Sequence, residues 1–169
     1  MNPKRIVTWI GPVGDEKTSN VFDAILALFT NNKSEPVYLV ICSNGGFVSG
    51  AMAFFDLIAS VPKLNLITVG SGEVSSSGLI IWLSGSKRHI TAHTTVLLHE
   101  LSQNISPGYT TKSDAECMAK QLCHANANFA DIVTKRSHIG NRKVLSMMSE
   151  NTILSPAETV KLGLAHKII

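Results

Sequence analysis

Short apolar runs rich in β-branched residues alternate along this chain with stretches of helical spacing, and most of the runs close on a turn of small residues. Arg5 to Ile10 is strand-like and stops at Gly11-Pro12, and Val37 to Cys42 closes at Ser43-Asn44-Gly45-Gly46. Leu64 to Val69 meets the breaker Gly70-Ser71-Gly72, and Thr94 to His99 reads as a further strand. Between them, Val21, Ile25, Leu28 and Phe29 share one helical face behind a Ser19 cap, and Asn31 to Ser34 end that helix. Gly50 to Ala59 is helical, and Leu79 to Leu83 is a short apolar helix or strand. The longest helix is expected to open at Ser113, with Glu116 completing a capping box, and to run to Lys135. A second box, Ser155-Pro156-Ala157-Glu158, starts a helix closed by Gly163, before a terminal strand from His166 to Ile169. Such alternation implies an α/β layered architecture. With no linker, repeat or low-complexity segment, one domain over residues 1–169 is expected.

Charged residues make up 16% of the chain against ~25% in an ordinary soluble domain, so part of the apolar surplus is expected to face other subunits. The net charge of +3 is mild, and neither Lys87-Arg88 nor Lys135-Arg136 is interleaved with aromatic residues, which argues against a nucleic-acid surface. Cys42, Cys117 and Cys123 are odd in number and form no CxxC pair, so reduced, mostly buried thiols are expected. The opening Met-Asn-Pro-Lys-Arg has no apolar signal core, and no apolar run approaches membrane-spanning length. The expectation is a cytoplasmic protein with no membrane partner.

Three turns, Ser43 to Gly46, Gly72 to Gly78 and the end of the Thr94–His99 strand, are candidates to converge at the carboxyl ends of strands, where ligands gather in open α/β sheets. The middle turn carries Ser75-Ser76-Ser77-Gly78. A serine at a strand-to-helix turn exposes its hydroxyl beside free N–H groups that can hold an oxyanion, although serines in turns also simply cap helices. Chemistry alone does not choose among the three. His99 ends an apolar strand, where an imidazole needs a partner; placed near a serine it can take the hydroxyl proton.

Several segments in order resemble the Clp proteolytic subunit, a member of the ClpP/crotonase superfamily. Arg5 to Gly14 is similar to the family's opening strand and turn, and VYLVICSNGG to its strand ending in Ser-Pro-Gly-Gly. Gly50-Ala51-Met52 and Phe55-Asp56 match the helix that follows, and Gly72 to Gly78 the Gly-x-Ala-Ala-Ser-Met-Gly nucleophile turn. Gly85 to Arg88 corresponds to Gly-Lys-Arg, Thr94 to His99 to the strand ending in the catalytic histidine, and Leu154 to Leu164 to the last helix. The resemblance implies a ClpP/crotonase-like α/β fold with a repeated β-β-α superhelical core, layered sheets and a long protruding helix.

It further implies a serine endopeptidase acting on peptides or unfolded polypeptides through an acyl-enzyme. Ser76 is then the nucleophile, His99 the general base, and the N–H groups of Gly45 and Ser77 the oxyanion hole, with no metal or organic cofactor. The family's third triad member, an aspartate, is matched by Asn151, which can orient a histidine but not stabilise imidazolium by charge; Glu150 next to it reads as a surface acid. Lys87 is the nearest basic residue for a Ser-Lys variant, but the family match gives it a non-catalytic place. A homo-oligomeric ring is implied. Because the chain starts almost at its first strand, the leading segment that forms axial pore loops in the family is expected to be missing, which weakens the case for an AAA+ unfoldase partner. The family's glycine-rich ribbon after the histidine is replaced by Gln103 to Thr111, and Asn44 stands for the turn proline. The alternative readings are an inactive scaffold subunit and, more remotely, acyl-CoA chemistry.

Overall fold

The computed structural model describes residues 1–102 and 108–169. The first three crossovers follow the alternation in the sequence: β1 (Ile6–Ile10), α1 (Asp15–Asn31), β2 (Val37–Ser43), α2 (Val48–Ser60), β3 (Leu66–Ser75) and α3 (Ser77–Leu83). Then come β4 (Lys87–Ile90), β5 (Thr95–Leu98), α4 (Lys112–Lys135), α5 (Asn141–Ser149), β6 (Thr152–Leu154), α6 (Pro156–Lys161) and β7 (Lys167–Ile168). The strands lie in the order β1-β2-β3-β4-β7, all parallel, with β5 parallel to β3 and β6 antiparallel to β5. This is the expected α/β fold. The β1–β2–β3 core buries alternate residues such as Val37, Leu39 and Ile41 against Trp9, Ile25 and Phe54.

The strand β3 departs most from expectation. Gly70-Ser71-Gly72 does not end it; the strand runs on to Ser75. Its first half, Ile67 to Gly70, pairs with β4, and its second half, Glu73 to Ser75, pairs with β5. The glycines bend the strand between two partners rather than stopping it. Gly72 sits at φ +76, a conformation in which a side chain is strained, and the β2–β3 register slips between Ile41 and Ser43.

Two cap assignments also change. Ser19 lies inside α1, which starts at Asp15 behind Gly14. Likewise α4 opens behind Thr111, whose side chain accepts from the Asp114 N–H, rather than at Ser113. In both cases another residue a few positions upstream occupies the cap. The Ser155/Glu158 box forms as expected, with both reciprocal bonds present.

Counted at 1.5 Å per residue, the 24-residue α4 is about 36 Å long. It buries Phe129, Ala130 and Val133 near its C-terminal end only, so its N-terminal half projects from the core. Cys117 and Cys123 lie on that projecting half and are exposed, and Cys42 is half-buried. The expectation of mostly buried thiols fails because the apolar stripe of α4 has no core to face over that stretch. No described helix is long and apolar enough to cross a membrane.

Candidate active site

Ser76 sits between the last residue of β3 and the first of α3, at φ 54 and ψ −132. A non-glycine residue held at positive φ costs about 1–3 kcal/mol and persists only where its surroundings impose it. Here they do. The Ser76 N–H donates to the Leu97 carbonyl at 3.4 Å, continuing the β3–β5 ladder, and the Leu79 N–H closes on the Ser76 carbonyl at 3.0 Å.

The three serines now separate. Ser75 Oγ donates to Glu73 Oε1 at 2.8 Å, which occupies it along the end of β3. Ser77 is fully buried, and its Oγ has no hydrogen-bond partner among the described residues. Ser76 is 9% exposed and lines a cavity of about 990 Å³. His99 lines the same cavity, with Asn44, Gly46, Phe47 and Met52 on one side and Leu122, Ala125 and Asn128 of α4 on another.

Strand pairing explains the convergence. Ser75 is paired with Leu97 across parallel strands, so Ser76 and His99 leave the carboxyl ends of neighbouring strands on the same edge. No hydrogen bond joins Ser76 to His99 among the described residues. Lys87 pairs with Ile67 at the opposite end of β3, about 30 Å of strand from Ser76, and does not line the cavity.

The Ser43–Gly46 turn presses directly on the serine. A Cβ on Gly45 would lie 2.5 Å from Ser76 Cβ and 3.0 Å from Ser76 Oγ, so only glycine, at φ +101, permits this approach. The Gly45 N–H donates to Ser43 Oγ at 3.2 Å, and Ser77 opens α3, where first-turn N–H groups have no helical acceptor. The turn is held by Val13, whose N–H donates to the Gly45 carbonyl at 2.8 Å and whose carbonyl accepts from Phe47 at 3.0 Å.

The antiparallel β5–β6 ladder ends at the pair Leu98–Thr152, so His99 and Asn151 each lie one residue beyond the same end of it. Asn151 is exposed at φ 51, a left-handed conformation that asparagine tolerates, and no hydrogen bond joins it to His99. Glu150 accepts from Ser146 Oγ at 2.5 Å on the surface of α5, as a solvated acid would. One contact escaped the sequence reading. The Leu101 N–H, two residues past His99, donates to Asn126 Oδ1 of α4 at 2.8 Å and ties the histidine's segment to the helix. A polar residue at a half-buried position of an amphipathic helix was its only sequence signal. The replaced ribbon, Gln103 to Thr111, lies outside the described residues from 103 to 107.

A Clp protease family model matches residues 1–169. This chain belongs to the Clp protease family. A curated relative, the ATP-dependent Clp protease proteolytic subunit 1 of Leifsonia xyli subsp. xyli (strain CTCB07), is 30% identical over 132 residues, covering 76% of this chain and 65% of the relative. The chain thus spans just under two thirds of that relative's length. Within the family's fold, the Ser76 turn stands between β3 and α3, and His99 follows β5.

Proposed function

We propose that this Clp family member is a serine endopeptidase, with residues 1–169 forming one peptidase domain. Ser76 attacks the scissile carbonyl, His99 takes the hydroxyl proton and returns it to the leaving amine, and water then cleaves the acyl-enzyme. The N–H groups of Ser77 and Gly45 hold the oxyanion, the second after exchanging its bond with Ser43 Oγ for the substrate oxygen. Asn151, at the same end of the β5–β6 ladder as His99, orients the imidazole without adding charge. The observation that carries the reading is the Ser76 backbone, held at φ 54 against a glycine too close for any side chain, with its hydroxyl in the cavity His99 lines. Each oxyanion-hole donor is worth about 3 kcal/mol in such chemistry.

Peptides or unfolded chains are the substrates proposed, because the cavity of about 990 Å³ is an open groove walled by Phe47, Met52 and Leu122. We further propose a homo-oligomeric ring, in which neighbouring copies cover exposed apolar residues such as Ile10 and Ile153, 68% and 67% exposed. Fluorophosphonate labelling tests the assignment. Wild type incorporates label and Ser76→Ala does not; equal labelling of two folded proteins overturns it.

A further inference from the structure

A second cavity, about 510 Å³ and sharing no residue with the first, opens between the C-terminal ends of α4 and α6 and the edge of β4. Five basic side chains line it, Arg88, Lys135, Arg136, His138 and His166, and no aspartate or glutamate does. We propose that this pocket binds a phosphate-type oxyanion, free or carried by a small phosphorylated molecule.

Arg88 is 6% exposed and donates to the carbonyls of Gly85, Arg136, Gly163 and Leu164. A buried guanidinium needs an anion as well as acceptors. The chain's other buried arginine has one: Arg5 also bonds four carbonyls, but Glu35 stands 3.7 Å from its Nε. Arg88 has no carboxylate partner among the described residues; its neighbour is Arg136, and burial together with that second charge lowers its pKa to about 10. Lys135 reaches Asp131 one turn up α4, leaving Arg136 without an ion pair among the described residues, its guanidinium 5.2 Å from the Phe55 ring centre.

The donors are arranged for use. His166 Nδ1 accepts the Arg88 N–H at 2.9 Å, which leaves Nε2 as the protonated, donating nitrogen. Burial and the charges of Arg88, Lys87 and His138 hold its pKa below 6.5, so it offers an N–H at neutral pH without adding another charge. The His138 ring lies on the Gly163 backbone so closely that a Cβ there would approach it to 2.5 Å, and this fixes the ring's position. Ser137 Oγ accepts from the Ile139 N–H, so its own hydrogen is free to donate. Guanidinium, ammonium, imidazole and hydroxyl donors converging from several elements exceed what the two oxygens of a carboxylate can accept, and match a tetrahedral oxyanion. The volume exceeds that of bare phosphate, which leaves room for what the phosphate is attached to.

Inorganic phosphate and ADP are the probes, titrated at constant ionic strength against the full chain while the histidine imidazole resonances are followed by NMR. The expected result is a saturable shift of His138 and His166 that leaves His93 and His124 in place, with affinity falling by about tenfold or more in Lys135→Gln/Arg136→Gln. The Arg136→Gln single variant, whose backbone carbonyl still accepts from Arg88, gives the same direction if the double variant is unstable. Lys112→Gln/Lys120→Gln removes equal charge from the other end of α4 and leaves the affinity unchanged. ADP binding more tightly than phosphate identifies a phosphorylated small molecule, and equal binding identifies the free ion. No saturable shift with either probe at about 10 mM, or equal loss in the two double variants, overturns the proposal.

Discussion

Replacing Gly45 by alanine separates a glycine that merely completes a turn from one that sets the position of Ser76, the proposed nucleophile. The added methyl meets Ser76 Cβ at 2.5 Å, Ser76 Oγ at 3.0 Å and the Ser75 carbonyl at 3.2 Å, all on one short, buried segment. Neither partner is the far end of a flexible side chain, so the overlap is relieved only by moving β3's last residues or the turn itself. Overpacking of this kind costs about 1–3 kcal/mol. The φ of +101 adds about 1–2 kcal/mol for any residue with a Cβ. Together the loss is about 2–5 kcal/mol, and at about 2–4 °C per kcal/mol for a chain of this size, Tm falls by about 4–20 °C. Fluorophosphonate labelling of Ser76, measured well below that Tm, slows by about tenfold or more, because the hydroxyl moves within the cavity that His99 also lines. Gly140→Ala is the control: φ is negative, nothing lies within 4 Å of the added carbon, and stability stays within about 1 kcal/mol. A Gly45→Ala protein with wild-type Tm and labelling rate refutes the reasoning. A lowered Tm with unchanged labelling refutes only the link to Ser76.

The remaining expectations concern the histidine side and pH. Asn151→Asp supplies the missing charge and raises peptide turnover, with ~10⁴-fold as the upper bound set by the reverse exchange in serine proteases; unchanged turnover in a folded variant removes Asn151 from the triad. Asn126→Ala strands the Leu101 N–H at a cost of about 1–2 kcal/mol and lowers kcat more than it changes KM, whereas Asn126→Asp, which keeps the acceptor, restores both; a variant with unaltered kcat denies the residue its positioning role. Burial and the charge of Lys167 depress the pKa of His89, and burial and Arg88 depress that of His166. The unfolded chain therefore takes up protons first as pH falls below about 6.5, so the stability these two contribute is full above that pH and declines below it. Urea midpoints between pH 7.5 and 5.5 follow this fall, and His89→Gln flattens it; a midpoint that rises on acidification contradicts the sign.

Much of the architecture was legible because the alternation of β-branched runs and 3.6-spaced apolar residues is a direct consequence of which faces must be buried. It was weakest where burial is two-sided or absent. The stretch after Val69 read as a break because glycines usually end strands, yet here β4 and β5 take successive halves of β3 and the glycines supply the bend. The projecting half of α4 read as core-facing because periodicity reports a face, not what covers it. α5, β4 and β6 are short and carry little periodic signal; β6 mattered most, since its register brings Asn151 and His99 to the same end of the β5–β6 ladder. At the site, residue chemistry alone left three serines equivalent and only the family resemblance pointed to Ser76; the Glu73 bond to Ser75 and the burial of Ser77 separate them, and neither is a property of local sequence. The cationic pocket draws its side chains from three separated segments, so no window of sequence displays it.

The double pairing of β3 gives Ser76 and His99 unequal anchorage. Ser76 directly follows a ten-residue strand paired with β2 on one side and with β4 and β5 in turn on the other, so it is released only when the sheet itself opens. His99 lies one residue beyond a four-residue strand, and past it the described segment is held at Leu101 by its burial in the core and by a side-chain bond from its N–H to Asn126 of α4. Mild heat or dilute denaturant is therefore expected to release His99, the proposed proton acceptor, while the sheet is still intact. Inactivation should run ahead of melting, and cooling should return activity without any refolding of the core.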